Sequence, residues 1–236
     1  MRNLIVLPDG RALFSGKPGA AILSLQLTQS VNSRQELTLG SACAAMVEMK
    51  LLLDETVTVE AGQELTLYKI DHRENRQLVG IFVAQTPVRA GKSICKLTAF
   101  DRMVYADRDL SDWLNGLTGW PYTLQQLAQM VSARCGLELT GAPLPNGELP
   151  VQAFSVSDIT GRELLQWIGE AAGRFCRITP TGQLEFSWYT PAGRISLGPE
   201  FAWGIHSQYG EGMLTLELTG IRNDADVTLE GAYLEA

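Results

Sequence analysis

Apolar and polar residues alternate along much of residues 21–100, which is the pattern of β-strands with one buried face. The alternating apolar sets are Leu23, Leu25 and Leu27; Val47, Met49 and Leu51; Leu65 and Leu67; Val79, Ile81 and Val83; and Cys95, Leu97 and Ala99. Short turn-forming segments at residues 61–62, 71–77 and 89–92 separate these runs. Strands joined by such links pair antiparallel, and their sheet hides its inner face by closing or stacking. The pattern therefore predicts an antiparallel, β-barrel-like domain over residues 1–105.

Two helices are predicted after these strands, in residues 123–136 and 160–173. Each segment begins with a threonine followed three residues later by glutamine or glutamate, the signature of a capping box, and each ends in glycine. Their apolar stripes are Leu124, Leu127, Ala128 and Val131 in the first helix and Leu164, Trp167, Ile168 and Ala171 in the second. A hairpin around residues 180–182 and a strand at residues 137–139 would give both helices a sheet to pack on. Residues 106–193 are therefore predicted to form an α+β unit with two amphipathic helices and a hairpin.

The strand period returns in residues 194–236. Leu214, Leu216 and Leu218 alternate with polar residues, and a second strand is indicated near residues 227–229. At most two strands are too few to stand alone, so this segment would pack on the rest of the chain, pair with another chain or form a shortened domain. The predicted fold class is mainly β with a smaller α+β part, and the C-terminal β segment completes or extends the first domain.

Composition and charge narrow the class of protein. The 236 residues are 45% hydrophobic and 19% charged, which is typical of a folded globular chain. A formal charge of -7 disfavours a non-specific nucleic-acid binder, because such proteins depend on clustered Lys and Arg. The apolar run at residues 4–7 is too short for a secretory signal, and no stretch of about 18 apolar residues occurs. We expect cytosolic synthesis and no membrane span.

The four cysteines lie far apart in the sequence, without the close pairs of a metal knuckle or a redox motif. Each falls among the apolar residues of a predicted strand or helix, where free cysteine behaves as a small hydrophobic residue. Cys43, Cys95, Cys135 and Cys176 are therefore expected to be buried thiols.

The motifs that usually carry chemistry are incomplete. Residues 86–93 end in the Gly-Lys-Ser of a phosphate loop, but the first glycine is missing and a strand follows, so a hairpin turn is the expected structure. Residues 209–212 are half of a dinucleotide fingerprint, and residues 40–43 lack the closing glycine of a nucleophile elbow. Positions in loops, at strand ends or before a helix explain the two histidines and the candidate acidic residues more simply than metal binding or catalysis does. These residues are His72, His206, Asp54, Glu55, Asp101 and Asp158. We therefore expect no catalytic, cofactor-binding or metal-binding residues, and no enzyme.

Three aromatic residues crowd the turn-rich link before the first helix: Trp113, Trp120 and Tyr122. One interpretation is a plug between the two domains, because large rings contribute much of the burial in a junction. The other is a subunit interface, where Trp and Tyr are enriched. Both interpretations fit the sequence.

The order of several segments resembles the baseplate hub, or tail hub, proteins of tailed bacteriophages and related contractile particles. The segments that carry the resemblance are residues 35–44 (QELTLGSACA), 78–83 (LVGIFV), 96–103 (KLTAFDRM), 160–173 (TGRELLQWIGEAAG) and 182–186 (GQLEF). Each is composed of core and turn residues, and their order along the chain is the stronger signal. The resemblance covers roughly residues 20–190.

This resemblance implies a structural protein that assembles as a symmetric oligomer, a trimer, between the tail tube and the tip or spike. Its partners would be other tail proteins, namely the tail tube or distal tail protein and a spike or fibre protein. DNA would be only a passing cargo. The location would be the virion tail, after synthesis in the cytoplasm of a bacterial host. No active-site residue is implied, and members of the family commonly continue into further domains.

Two other classes of protein stay open at this point. A tail-associated cell-wall-degrading enzyme would require carboxylates clustered in a cleft. A receptor-binding or carbohydrate-binding module would require a groove lined by exposed aromatic side chains.

Overall fold

The computed structural model describes residues 2–16, 21–30, 39–53, 57–91 and 93–188, together with the backbone of four later strands. The described part up to Ser187 forms one compact unit, and the four later strands belong to a second. The predicted domain limits at residues 105 and 193 stay a prediction.

One antiparallel sheet of eight strands dominates the first unit. Its strands are β1 (Arg2–Val6), β2 (Ala12–Phe14), β3 (Ile22–Thr28), β4 (Met46–Leu52), β5 (Glu64–Ile70), β6 (Arg76–Ala84), β7 (Val88–Ala90) and β8 (Ile94–Asp101). Their order across the sheet is β2-β1-β5-β6-β8-β4-β3, and the short β7 pairs with β8. The predicted fold class is confirmed: the protein is mainly β, with a large antiparallel sheet, a few helices and short C-terminal strands.

The sheet curls around one apolar core without closing. Leu13 of β2 and Ile22 of β3 come from its two edges, yet both belong to the same buried cluster. Between them, the predicted inward residues of β4, β5 and β8 fill this cluster. Curling buries one face of the sheet against itself, which gives the barrel-like character expected from the strand period.

Two irregularities shift the predicted faces. In β3 the pairing with β4 slips between Ile22 and Ser24, and Leu23 is left 48% exposed instead of buried. In β6 the pairing with β5 passes over Val79, so that Phe82 joins the core while Ile81 is only half-buried. An extra residue in one strand reverses the side-chain alternation beyond it, and the sequence pattern alone does not reveal this.

The α+β part follows in the same unit. A 3-10 turn (Arg102–Asp107) leads into α1 (Ser111–Asn115), β9 (Tyr122–Thr123), α2 (Leu124–Cys135), β10 (Pro150–Val151), α3 (Gly161–Ala172), β11 (Phe175–Ile178) and β12 (Leu184–Ser187). Both predicted capping boxes are present, and both helices end at a glycine in the left-handed conformation. The predicted hairpin is the pair β11 and β12. The predicted strand near Leu139 is reduced to one parallel bridge with Leu184.

Charged side chains join the sheet to the α+β part. Arg102 donates from Nε and Nη2 to both carboxylate oxygens of Glu64, each at 2.7 Å, and the Tyr105 hydroxyl donates to the same carboxylate at 3.1 Å. On α3, Arg162 donates to Asp107 at 2.9 Å and to the Ala42 carbonyl at 3.0 Å. A bidentate guanidinium–carboxylate pair fixes orientation as well as distance. The Arg162 contact with Ala42 positions α3 against the residues that precede β4.

Four strands are described in the second unit, more than the two predicted. They are β13 (Ile195–Leu197), β14 (Ile205–Gly210), β15 (Met213–Leu218) and β16 (Val227–Leu229). Strand β13 pairs antiparallel with β16, and β14 pairs antiparallel with β15. The strand predicted near residues 227–229 is confirmed, because it corresponds to β16.

Candidate functional site

The turn before α2 holds two of the predicted site residues in place. The Trp120 indole nitrogen donates to the Leu117 carbonyl at 3.2 Å, and the Tyr122 hydroxyl donates to the Thr118 carbonyl. Tyr122 also lies in β9, which pairs with β10. Each ring therefore has a polar anchor at one end and an apolar surface at the other.

Four rings form a continuous row. The Trp120 ring centroid lies 4.8 Å from Tyr122 and 5.7 Å from Phe154, both edge-on, and Phe154 lies 6.3 Å from Trp167 of α3. These separations are typical of favourable aromatic pairs. The third predicted residue, Trp113, lies on α1 and packs, half-buried, against the buried cluster of the α+β part. The structure thus brings Trp120 and Tyr122 together and adds Phe154 and Trp167.

An apolar groove of about 290 Å³ adjoins this row, between α2 and α3. Its lining is hydrophobic throughout: Leu124, Leu127, Val151, Phe154, Leu164, Trp167, Ile168 and Ala171. Trp167 is 49% exposed there. A half-exposed tryptophan beside an apolar groove is a feature of surfaces that bind other molecules.

The exposed edge of the groove on α3 is acidic. Glu163 precedes Trp167 by four residues and Glu170 follows it by three, so both lie on the same helix face as the indole. The Glu163 carboxylate accepts hydrogen bonds from the Thr160 backbone N–H and hydroxyl, each at 2.8 Å. These bonds lower the pKa of Glu163, which keeps it ionised at neutral pH.

The prediction that Trp167 belongs to the buried stripe of the second helix is wrong. The core side of α3 is formed by Leu164, Leu165, Ile168 and Ala172, whereas Trp167 and Ala171 are exposed. Gly169 of this helix packs closely against Gly40, and Leu165 and Ala172 are buried in the core. The sequence does contain a signal of this exposure, because Glu163 lies four residues before Trp167 and Glu170 lies three residues after it.

A second groove lies on the sheet, where β3, β4 and β8 meet the segment leading into β7. Its volume is about 580 Å³, and polar and apolar side chains both line it. Lys50 of β4 stands directly opposite Lys96 of β8 in this groove, and Glu48 lies nearby. Two ammonium groups and one carboxylate line this groove, so this part of the sheet carries a small positive surface on an acidic chain.

The residues first considered for chemistry have structural surroundings. Asp101 is buried and accepts backbone N–H bonds from Ala45 at 2.8 Å and Met103 at 2.9 Å. Burial raises the pKa of Asp101 in spite of these two donors. Asp158 occupies a bend with positive φ before α3, and His72 lies in the exposed turn between β5 and β6. Asp54 and Glu55 lie outside the described residues, as does the side chain of His206.

Two further predictions concern turns and thiols. Gly91 lies in the turn between β7 and β8, so the segment resembling a phosphate loop is a hairpin, as predicted. Cys95, Cys135 and Cys176 are buried, but Cys43 is only half-buried, contrary to the prediction. Cys43 lies in the irregular segment before β4, where its sulfur is 3.3 Å from the Ser41 hydroxyl.

Groups of metal-ligating residues and membrane-spanning helices are both absent from the described part of the chain. There, no group of three His, Cys, Asp or Glu residues is arranged to hold a metal ion. No helix among the described residues has the length and apolar character needed to cross a membrane.

The fold is similar to that of phage tail proteins of known structure. The 43 kDa tail protein of prophage MuSo2 from Shewanella oneidensis superposes with a TM-score of 0.59 at 16% identity, over 89% of this chain and 62% of that one. A tail protein from Neisseria meningitidis superposes with a TM-score of 0.50 at 10% identity, over 78% of this chain and 49% of that one. This chain therefore spans about three fifths of the length of the first neighbour and about half of the length of the second. No protein-family model and no curated protein matches the sequence.

Proposed function

We propose that this protein is a structural component of the tail of a phage or phage-like particle. More specifically, it is a hub protein at the baseplate or tail tip that joins the tail tube to the tip or spike. The observation that carries this proposal is the superposition of 89% of the chain on a prophage tail protein. The ordered segments that resemble tail hub proteins support the same assignment from the sequence side.

A hub of this kind would assemble as a trimer, and two surfaces of the first unit suit such contacts. Strand β3 ends the sheet and has seven residues without a charged side chain, although natural edge strands are usually protected by charge. Trp120 and Tyr122, at the end of the row of rings away from Trp167, form the second surface. Trp113, half-buried on α1, belongs to the same proposed subunit interface.

The proposed role is non-enzymatic. Of the two described acidic candidates, Asp101 and Asp158, Asp101 is the more buried, and its oxygens are already engaged by backbone N–H groups. DNA would be a passing cargo, for which the net charge of -7 would limit adhesion to a channel wall. A channel wall with strongly positive potential in an assembled particle would contradict this last point.

Immunogold electron microscopy of particles carrying an epitope-tagged copy tests the assignment. The label is expected at the end of the tail remote from the capsid, on every intact particle. Native mass spectrometry of the purified chain at tens of micromolar is expected to give the mass of three copies. Label on the capsid, or absence from purified particles, would contradict the tail role. A monomer alone would contradict the self-sufficient trimer while leaving the tail role intact.

A further inference from the structure

Large apolar side chains are left exposed beside the groove between α2 and α3. Trp167 and Leu149 are each 49% exposed, and Leu149 lies at the α2 end of the groove, where its carbonyl accepts a bond from Leu124 N–H. Exposed large side chains that gather beside a concave apolar surface are typical of binding sites. An occupant of this groove would therefore bring an apolar side chain.

The charges around the groove are negative at both ends. Glu163 and Glu170 flank Trp167 on α3, and Glu148 precedes Leu149 in the turn that Asn146 ties to the Ala171 carbonyl at 3.1 Å. Arg162, next to Glu163 in the sequence, is already bound to Asp107 and to the Ala42 carbonyl. The sequence contains no lysine after Lys96, so no ammonium group follows in the α+β part.

We propose that this groove docks an amphipathic segment of a partner protein, with an apolar anchor in the groove and a Lys or Arg side chain over Trp167. A cation above an indole is attracted by the ring, and two carboxylates on the same helix face strengthen that attraction. The acidic edge thus selects a basic partner, whereas the apolar lining supplies the contact area. This inference does not depend on the tail role proposed above.

A second copy of the chain is a poorer occupant. Its formal charge of -7 opposes approach to an acidic edge, and like charges across an interface reduce both the association rate and the affinity. The positive surface at Lys50 and Lys96 lies in a groove, not on an apolar ridge that could enter this one. The charge pattern therefore favours a basic segment of a different protein.

Synthetic peptides of about 18 residues, long enough for five helical turns, are the probes for the test. One peptide has Leu and Phe on its apolar face and Lys elsewhere, and its matched partner has Glu in place of every Lys. Calorimetric titration of the full chain is expected to show binding of the Lys peptide only. Its affinity is expected to fall as salt is added, because the acidic edge contributes to it.

Substitutions locate the binding. Trp167→Ser is expected to weaken binding of the Lys peptide by about tenfold or more, as for a central aromatic contact. The double variant Glu163→Gln and Glu170→Gln is expected to weaken it about threefold and to flatten the salt dependence. Glutamine at position 163 preserves the capping box, so the helix stays intact. The matched controls are Val88→Ser, which removes a 61% exposed side chain from β7, and Glu60→Gln, and both should bind as the original chain does.

Three outcomes would overturn the proposal. Equal binding of the Lys and Glu peptides would show that the acidic edge selects nothing. Loss of self-association in the Trp167→Ser variant, measured by native mass spectrometry, would identify a second copy as the occupant. A fall in the free energy of unfolding of the Trp167→Ser variant as large as that expected for a buried tryptophan would show that other residues of the same chain already cover Trp167.

Discussion

Gly40 lies where the segment before β4 crosses α3, and neither its backbone nor its surroundings admit a side chain. Its φ is +72°, and a Cβ atom there would lie 2.4 Å from the Gln166 carbonyl oxygen. Its N–H donates to the Arg174 carbonyl at 2.8 Å, which holds the two segments together. The glycine of residues 40–43 therefore reflects a close approach of two backbones and not a nucleophile elbow.

Gly40→Ala is expected to lower the free energy of unfolding by about 3 kcal/mol or more, because left-handed strain and a backbone clash act together. Gly62→Ala is the matched control. Gly62 has a φ of +85° but nothing within 4 Å of the added Cβ, so only the strain of about 1 kcal/mol applies. Urea unfolding of the three proteins measures the difference. Equal losses for the two variants would mean that the approach of Gly40 to α3 is not close.

The thiols are expected to react in two groups. Cys43 is half-buried and should react with a disulfide reagent such as DTNB in the native protein. Burial raises the pKa of Cys176, Cys135 and Cys95, and these thiols should react on the order of a hundredfold more slowly, through unfolding or local opening. One equivalent of rapid release and three more in urea is the expected stoichiometry. Rapid release of two or more equivalents would contradict the burial of the other three.

At the scale of elements, what could be predicted depends on the range of the interactions. Thr160 and Glu163 mark the start of α3 from the sequence, because a capping box involves only four consecutive residues. The exposure of Leu23 could not be predicted, because it follows from a slip in pairing with β4, about 25 residues away. The candidate site divides in the same way. Trp120 and Tyr122 are neighbours in the sequence, whereas the fold alone brings Phe154 and Trp167 to them.

The Glu64–Arg102 pair gives a pH-dependent prediction about the contact between β5 and the turn after β8. The Arg102 guanidinium lowers the pKa of Glu64 below its ordinary value of 4.5. A lowered pKa in the folded state stabilises the protein above the unfolded-state pKa, and this contribution is lost as the pH falls through the folded-state value. Glu64→Gln should therefore cost about 1 kcal/mol at neutral pH, because Glu64 is 35% exposed and water screens the pair.

Unfolding curves of Glu64→Gln and the original chain at several pH values measure this effect. The difference in free energy should begin to shrink as the pH falls below about 4.5, where the unfolded state takes up a proton, and should be lost once the pH passes the lower folded-state pKa of Glu64. Glu60→Gln, which changes an exposed carboxylate, should show no comparable dependence. A difference that stays constant down to low pH would show that the charge of Glu64 contributes nothing.

At the scale of the whole molecule, the open sheet raises the question of what its edges do. Strand β2 at one edge has three residues, which is short enough to discourage further pairing. Strand β3 at the other edge is seven residues long, uncharged and bears the exposed Leu23. The two edges therefore differ in their capacity to pair with another chain, and in a head-to-tail trimer β3 would contact a different surface of the next copy.

Charging the β3 edge should weaken the proposed trimer without weakening the monomer. Leu23→Lys with Thr28→Lys places ammonium groups at both ends of the strand, at positions that are already exposed, so the melting temperature should change little. The dissociation constant of the trimer, measured by sedimentation equilibrium, should rise by about tenfold or more, because each lysine must be desolvated in the paired edge. Ala12→Lys on β2 is the matched control and should leave assembly unchanged. If the β3 variant assembles as tightly as the original chain does, assembly does not proceed through β3, and Trp120 and Tyr122 become the residues to vary next.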